Sequence, residues 1–141
     1  MSIKGAPSSV TVVLPYTPYA VPMAGRNSRL DMTPNARNRR RFPDTGARDQ
    51  MRSDAFYLTR YTVPQGWAGG GSVTIDITCH TKVRRNRDRD GLISGLKWAF
   101  DGIAQALGVD DSTFQFGAIT FETGPVEKTE IVISSNFPDL P

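Results

Sequence analysis

Between Ser72 and Asp111 the chain reads SVTIDITCHTKVRRNRDRDGLISGLKWAFDGIAQALGVDD. The first part, Ser72 to His80, alternates apolar and polar residues, which is the period of a strand with one buried face. From Asp90 to Leu107 the apolar residues recur every three or four positions, which is the spacing of an amphipathic helix. The two patterns in succession predict a strand that leads into a helix.

Further elements are predicted on both sides of this pair. The β-branched run Val10 to Leu14 indicates a strand, and Ala47 to Tyr61 has the apolar spacing of a helix. Two more strands are predicted at Phe114 to Glu122 and Glu130 to Ser134, with a turn at Gly124 between them. This order favours an α/β fold, more narrowly α+β, in which a small mixed sheet packs against two helices. The residues expected to be buried are Val73, Ile75, Ile77, Leu96, Phe100 and Ile103.

Length and composition indicate one domain over residues 1–141, since a chain of 141 residues can bury a core of its own. No apolar run is long enough to span a bilayer, and the start of the chain lacks the features of a secretory signal. A single cysteine, Cys79, excludes an intramolecular disulfide. We therefore expect a cytoplasmic protein without a membrane partner.

Charge is sorted along the chain. Arg26 to Arg60 contains nine arginines against four aspartates, and Lys82 to Lys97 contains six basic residues against two aspartates. After Lys97 the balance reverses, with one lysine against seven acidic residues. Basic stretches outside helices commonly contact nucleic-acid phosphates, although a solvated loop gives the same composition. Residues 16–46 are expected to form a long basic loop that becomes ordered on binding.

Acidic residues are concentrated where the helix begins and where it ends. Asp88 and Asp90 are two positions apart before the helix, and in an extended chain their side chains point the same way. Lys97 is seven residues after Asp90, on the same face of a continuous helix. The acidic and basic residues of this segment are Asp88, Asp90, Lys97, Asp101, Asp110 and Asp111.

Clustered carboxylates repel one another, and a bound cation relieves that repulsion. Oxygen ligands favour Mg²⁺, or Mn²⁺, over zinc, and one histidine and one cysteine are too few for a zinc site. A carboxylate-bound Mg²⁺ in a basic protein suggests phosphodiester chemistry, because the metal activates water and stabilises the leaving oxygen.

Each residue also has a structural interpretation. Asp90 is of a type that often caps a helix N-terminus, and Lys97 with Asp101 could be a solvent-exposed ion pair. Asp110 and Asp111 could form only a turn. His80, which has no partner at metal-ligand spacing, is more simply a surface residue at a strand end.

This segment resembles the RusA family of Holliday-junction resolvases, especially the versions found in phage genomes. That family has an Asp-x-Asp-Asn sequence at the start of a helix, a lysine and an aspartate four apart on it, and an Asp-Asp pair after it. The matching residues are Asp88, Asp90, Lys97, Asp101, Asp110 and Asp111. Two positions depart from the pattern. Gly91 stands where the family usually has Asn, and Lys97 is seven residues after Asp90, where some members have it four after.

The resemblance implies a homodimeric endonuclease that binds four-way DNA and cuts paired strands with Mg²⁺, and no small-molecule cofactor. Carried over by position, the metal ligands are Asp88, Asp90 and Asp111. Lys97 is then the essential base or the group that neutralises the phosphate.

Two other functions fit the same residues. One is a non-catalytic, basic nucleic-acid-binding module in which Asp88 and Asp90 are structural. The other is a metal-dependent nuclease or nucleotide hydrolase that acts on another substrate. Mg²⁺-dependent cleavage would distinguish an enzyme from the first alternative. Competition with linear duplex would distinguish a junction resolvase from the second alternative.

Overall fold

A computed structural model describes residues 9–22, 29–34, 45–68, 72–84 and 88–135. Their order along the chain alternates short strands with helices. The elements are β1 (Ser9–Leu14), β2 (Val21–Pro22), β3 (Arg29–Leu30), α1 (Thr45–Thr62), β4 (Val73–Thr81), α2 (Arg89–Gly95), α3 (Lys97–Leu107), a 3₁₀ turn (Asp111–Thr113), β5 (Phe114–Thr123) and β6 (Lys128–Ser135).

The main sheet has four strands in the order β1-β6-β4-β5. β4 and β5 run parallel, whereas β6 is antiparallel to both β1 and β4. Parallel neighbours need a crossover connection, and here α2 and α3 provide it between β4 and β5. The expected α+β fold with a small mixed sheet is confirmed.

One face of the sheet forms the hydrophobic core with the helices. Alternate residues of the strands, among them Val12, Ile77 and Ile131, pack in one cluster with Met51 of α1 and Ile103 of α3. All six residues expected to be buried are buried, because the periods of the strand and of the helix place them on the inner faces. None of the helices described is long and apolar enough to cross a membrane.

The expectation of one continuous helix up to Leu107 is wrong. The helix is interrupted at Leu96, which has φ −97° and ψ 8° and separates α2 from α3. Gly95 packs so closely on the loop after β1 that an added Cβ would lie 2.9 Å from the Cβ of Pro18. The apolar spacing continues across the break, and Leu92 and Leu96 are both buried. The sequence pattern therefore gives no sign of the break.

The expected long loop is ordered in the parts that the structure describes. β2 and β3 pair as a short antiparallel ribbon, and Val21 and Met32 are fully buried. The buried Tyr16 donates a hydrogen bond of 2.7 Å to Oδ2 of Asp54 on α1. Burial, together with this carboxylate, raises the pKa of Tyr16. Most of the arginines between Arg26 and Arg41 lie outside the described residues.

Candidate active site

Asp88 fixes the start of α2. Its backbone is extended, with φ −96° and ψ 93°, and its Oδ1 accepts a hydrogen bond of 3.0 Å from the backbone N–H of Gly91. This is the geometry of an N-cap. A Cβ on Gly91 would lie 2.5 Å from Oδ2 of Asp88, so a larger residue at position 91 would require the Asp88 carboxylate to shift.

Asp90 does not cap the helix. It is exposed and already lies in the first turn of α2, so the suggestion that it supplies the capping oxygen is wrong by two residues. The expectation that Asp88 and Asp90 share one extended segment is wrong for the same reason, because the helix begins at Arg89. A carboxylate in the first turn interacts favourably with the positive end of the helix dipole, so Asp90 is tolerated there without a capping bond.

Arg89, to which the sequence pattern assigned no role, ties the start of α2 to β5. Its guanidinium donates to the backbone carbonyl oxygen of Gly117 at 3.1 Å and to that of Phe116 at 3.5 Å. The register of β4 and β5 is irregular at this point, and Oδ1 of Asp76 accepts a hydrogen bond of 2.7 Å from the N–H of Ala118. An added Cβ on Gly117 would collide with that carboxylate oxygen. A bulge in the sheet thus presents the carbonyls that hold Arg89.

Lys97 is exposed at the first position of α3. With Asp111 it borders a cleft of about 300 Å³ on the side of the molecule where α2, α3 and β5 meet. We name this the Lys97 cleft. Its lining residues are Ile93, Ser94, Lys97, Phe100, Asp111, Phe114 and Phe116. The cleft therefore combines apolar walls with one cation, Lys97, and one carboxylate, Asp111.

Asp111 lies against Asp101, ten residues earlier in the chain. The left-handed Gly108, with φ +76°, ends α3 and turns the chain back, and the 3₁₀ turn that follows begins with Asp111. A hydrogen bond between the carboxyls of Asp111 and Asp101 raises the pKa of Asp111, and desolvation and the negative charge of Asp101 raise it further. A shared proton or a bound cation relieves the repulsion between two carboxyls in contact.

Asp110 holds the turn in place. Its Oδ1 accepts a hydrogen bond of 2.9 Å from the N–H of Ser112. That backbone bond lowers the pKa of Asp110, so the neighbouring residues Asp110 and Asp111 are shifted in opposite directions. Asp110 is the structural member of the pair, and Asp111 is the one whose carboxyl contacts Asp101.

The residues expected to act together form two groups. Lys97 and Asp111 border the Lys97 cleft, and Asp101 contacts Asp111. Asp90 is one helical turn before Ser94 of the cleft, and the carboxylate of Asp88 points at the backbone of Gly91. Within residues 9–22, 29–34, 45–68, 72–84 and 88–135, no three His, Cys, Asp or Glu side chains converge closely enough to hold a metal ion.

His80 lies near the end of β4, before the acidic segment that begins at Asp88. Its Nε2 is 2.9 Å from Oε1 of Glu130, without hydrogen-bond alignment, and its Nδ1 is 3.5 Å from Oε2 of Glu122. Lys128 lies 3.4 Å from the same oxygen of Glu130. These contacts link β4 to both neighbouring strands, so His80 has a structural environment on the open face of the sheet.

We expect Asp101→Asn to raise the thermal stability of the metal-free protein at neutral pH. The pKa of Asp111 is raised in the folded state, so this carboxyl favours folding at low pH and loses that contribution as the pH rises through its folded pKa. An amide at position 101 removes the repulsion and can donate to Asp111. Melting temperatures between pH 3.5 and 7.5 should therefore show a gain for the variant that grows with pH.

Asp110→Asn provides the control with the opposite sign. The pKa of Asp110 is lowered in the fold, so its charge stabilises the fold above the usual pKa and that contribution is lost at acid pH. The Asn variant should be slightly less stable than the wild type at neutral pH. A melting temperature of Asp101→Asn below that of the wild type at pH 7.5 would show that the two carboxyls do not repel each other.

Comparison with known proteins gives a weak structural likeness and no sequence match. Neither the protein-family models nor the curated proteins give a match. A solved structure titled "IspF (Plasmodium falciparum) CDP complex" is similar at 10% sequence identity over 92% of this chain and 94% of that chain, with a TM-score of 0.28. A likeness of that strength carries no argument on fold or function. The resemblance to the RusA family rests on the residues between Asp88 and Asp111.

Proposed function

We propose that the protein is a Mg²⁺-dependent endodeoxyribonuclease that resolves four-way DNA junctions by phosphodiester hydrolysis. The observation that supports this most is that Lys97 and Asp111 border one cleft and that the carboxyl of Asp101 contacts that of Asp111. A cation between carboxylates and a lysine beside them are the groups needed where charge develops on a phosphate. The choice of branched DNA comes from the resemblance to the RusA family.

The proposed metal ligands are Asp88, Asp90 and Asp111. The oxygen donors fit Mg²⁺ or Mn²⁺, and the raised pKa of Asp111 beside Asp101 indicates a place where a cation would relieve repulsion. When bound, such a metal lowers the pKa of a water molecule and stabilises the leaving oxygen. Asp101, whose role the sequence left open, is a further carboxylate beside Asp111.

The chain's own residues position these groups. The Asp88 cap and the Arg89 contacts with β5 fix the first turn of α2, and therefore Asp90. The Asp110 bond to Ser112 fixes the turn that presents Asp111. Lys97, at the cleft rim, offsets negative charge on the phosphate in the transition state.

DNA binding is assigned to the basic part of the chain. Arg26 to Arg60 carries an excess of five positive charges, and phosphate contacts by arginine release counterions. Two cuts in paired strands require two active sites, so the proposed active form is a homodimer with two-fold symmetry.

A cleavage assay tests the proposal directly. A synthetic four-way junction is incubated with the protein in Mg²⁺ and in EDTA, with a linear duplex of the same sequence as competitor. We expect cleavage in Mg²⁺ but not in EDTA, and faster cleavage of the junction than of the duplex. Light scattering should show a particle of twice 15.5 kDa. Junction binding without cleavage in either Mg²⁺ or Mn²⁺ would favour the non-catalytic nucleic-acid-binding module. Equal cleavage of the duplex would favour a nuclease with another substrate.

A further inference from the structure

A second cleft, separate from the Lys97 cleft, opens between α1 and α3. It has a volume of about 300 Å³, near the lower limit for small-molecule sites. We name it the Tyr57 cleft. It is lined by Asp49, Arg52, Ser53, Phe56, Tyr57 and Gln105.

The Tyr57 cleft combines an aromatic wall with hydrogen-bonding groups. The rings of Phe56 and Tyr57 are 5.1 Å apart and nearly perpendicular, and Tyr57 is 59% exposed. Arg52 donates to Asp49 at 3.3 Å, and both side chains are substantially exposed. With the amide of Gln105, the cleft offers a ring surface beside donors and acceptors. Ring stacking plus hydrogen bonds to one edge is how proteins bind an unstacked nucleobase.

The position of the cleft relates it to the proposed reaction. Lys97, Asp101 and Gln105 are in one row along α3, at steps of four residues. Lys97 borders the Lys97 cleft and Gln105 lines the Tyr57 cleft, and the eight residues between them span about 12 Å along the helix axis. A strand that has a phosphate at the Lys97 cleft and follows α3 therefore passes the Tyr57 cleft within a few nucleotides.

We propose that the Tyr57 cleft binds one unstacked nucleobase within a few nucleotides of the phosphate that is cut. The inference rests on the proposed function, because it needs DNA at the Lys97 cleft. Bases beside a branch point cost less to unstack than those within a continuous duplex, since a base that has already lost its pairing or stacking has less to lose. The cleft thereby contributes to the selection of branched DNA.

The chemistry of the cleft fits a nucleobase better than a second protein chain. Aspartate and serine are depleted in protein interfaces, whereas Asp49 and Ser53 both line this small cleft. The ion pair of Asp49 with Arg52 is exposed and therefore weak, so it is easily exchanged for contacts with a ligand.

A binding cycle with abasic DNA tests this inference. Junctions that lack a single base, at each position near the branch in turn, are titrated by fluorescence anisotropy in EDTA, so that no strand is cut. We expect one abasic position to weaken binding by the wild type about 5- to 100-fold. Tyr57→Ala should weaken binding of the intact junction to the same extent and show no further loss at that position.

Tyr61→Ala is the matched control, because Tyr61 is one turn further along α1, is 88% exposed and does not line the cleft. It should retain the abasic sensitivity, and Gln105→Ala should lose part of it. Additive effects of Tyr57→Ala and base removal at every position would overturn the inference, while cleavage by the wild type would leave the proposed function intact. A change of molecular mass in Tyr57→Ala would assign the cleft to a protein interface instead. If the wild type bound no junction, the proposed function would fail, and this inference with it.

Discussion

Asp90→Asn is expected to lower junction cleavage about a thousandfold in saturating Mg²⁺, with folding and junction binding preserved. The substitution keeps the side-chain volume and removes the charge that a Mg²⁺ ligand needs. Junction binding should persist or tighten, because one negative charge that repels the DNA backbone is removed.

The structure makes this substitution a clean test. Asp88, rather than Asp90, caps α2, so Asp90→Asn has no capping bond to lose. What remains is the interaction of an exposed carboxylate with the helix dipole, worth about 0.3–1 kcal/mol. A loss of stability in that range cannot explain a thousandfold loss of turnover at a temperature well below unfolding.

Metal binding gives a measurement that does not depend on turnover. Mg²⁺ should raise the melting temperature of the wild type, because a ligand that binds only the folded state stabilises it. The shift should be smaller in Asp90→Asn and in Asp111→Asn. Glu127→Gln, which removes a carboxylate from the turn between β5 and β6, should respond as the wild type does.

Variants of the other proposed site residues should differ in turnover and in the Mg²⁺-induced shift of the melting temperature, according to the role of each residue. Asp88→Asn and Asp111→Asn are expected to behave as Asp90→Asn does, since asparagine at position 88 can still cap the helix. Lys97→Ala should reduce turnover about 10²- to 10³-fold with little change in the Mg²⁺-induced melting shift, because it acts on the phosphate. Cleavage by Asp90→Asn at the wild-type rate would mean that the proposed metal site is wrong.

The sequence predicted the parts of this fold that depend on local periodicity. The alternation over Ser72 to His80 and the apolar spacing over Asp90 to Leu107 gave the correct buried residues, because each period maps directly onto one face. The break at Leu96 was missed since it arises from the packing of Gly95 on Pro18, a contact between residues far apart in the chain. The β2–β3 ribbon was missed because two-residue strands carry no period.

The sequence predicted the types of residue in the candidate site, but only part of their spatial arrangement. Asp111 and Lys97 were expected together and do border one cleft. Asp101 was left without a role, because its contact with Asp111 depends on the reversal of the chain at Gly108. The helix was predicted to begin at Asp90 and begins one residue earlier, at Arg89. The capping role, which the sequence suggested for Asp90, therefore belongs to Asp88.

A second large effect is expected at the contact of the two long helices. Gly102 of α3 is buried against α1, and an added Cβ would collide with the backbone carbonyl oxygen of Arg52 and lie 3.0 Å from the backbone N of Phe56. Both neighbours are main-chain atoms of a helix, so no side-chain rotation can relieve the collision. Gly102→Ala therefore forces α1 and α3 apart, and we expect it to lower the free energy of unfolding by about 1–3 kcal/mol in urea denaturation.

Gly46→Ala is the matched control for this substitution. It also lies in a helix, but an added Cβ at Gly46 meets nothing within 4 Å. Alanine has the higher helix propensity, so Gly46→Ala should be neutral or stabilise the protein by up to about 1 kcal/mol. The same intrinsic gain is available at Gly102, and a net loss there measures the cost of separating the helices. Because Lys97 and Asp101 are on α3, Gly102→Ala should also reduce turnover under conditions where the variant is folded. If both variants were equally stable, α1 and α3 would not be in the close contact described here.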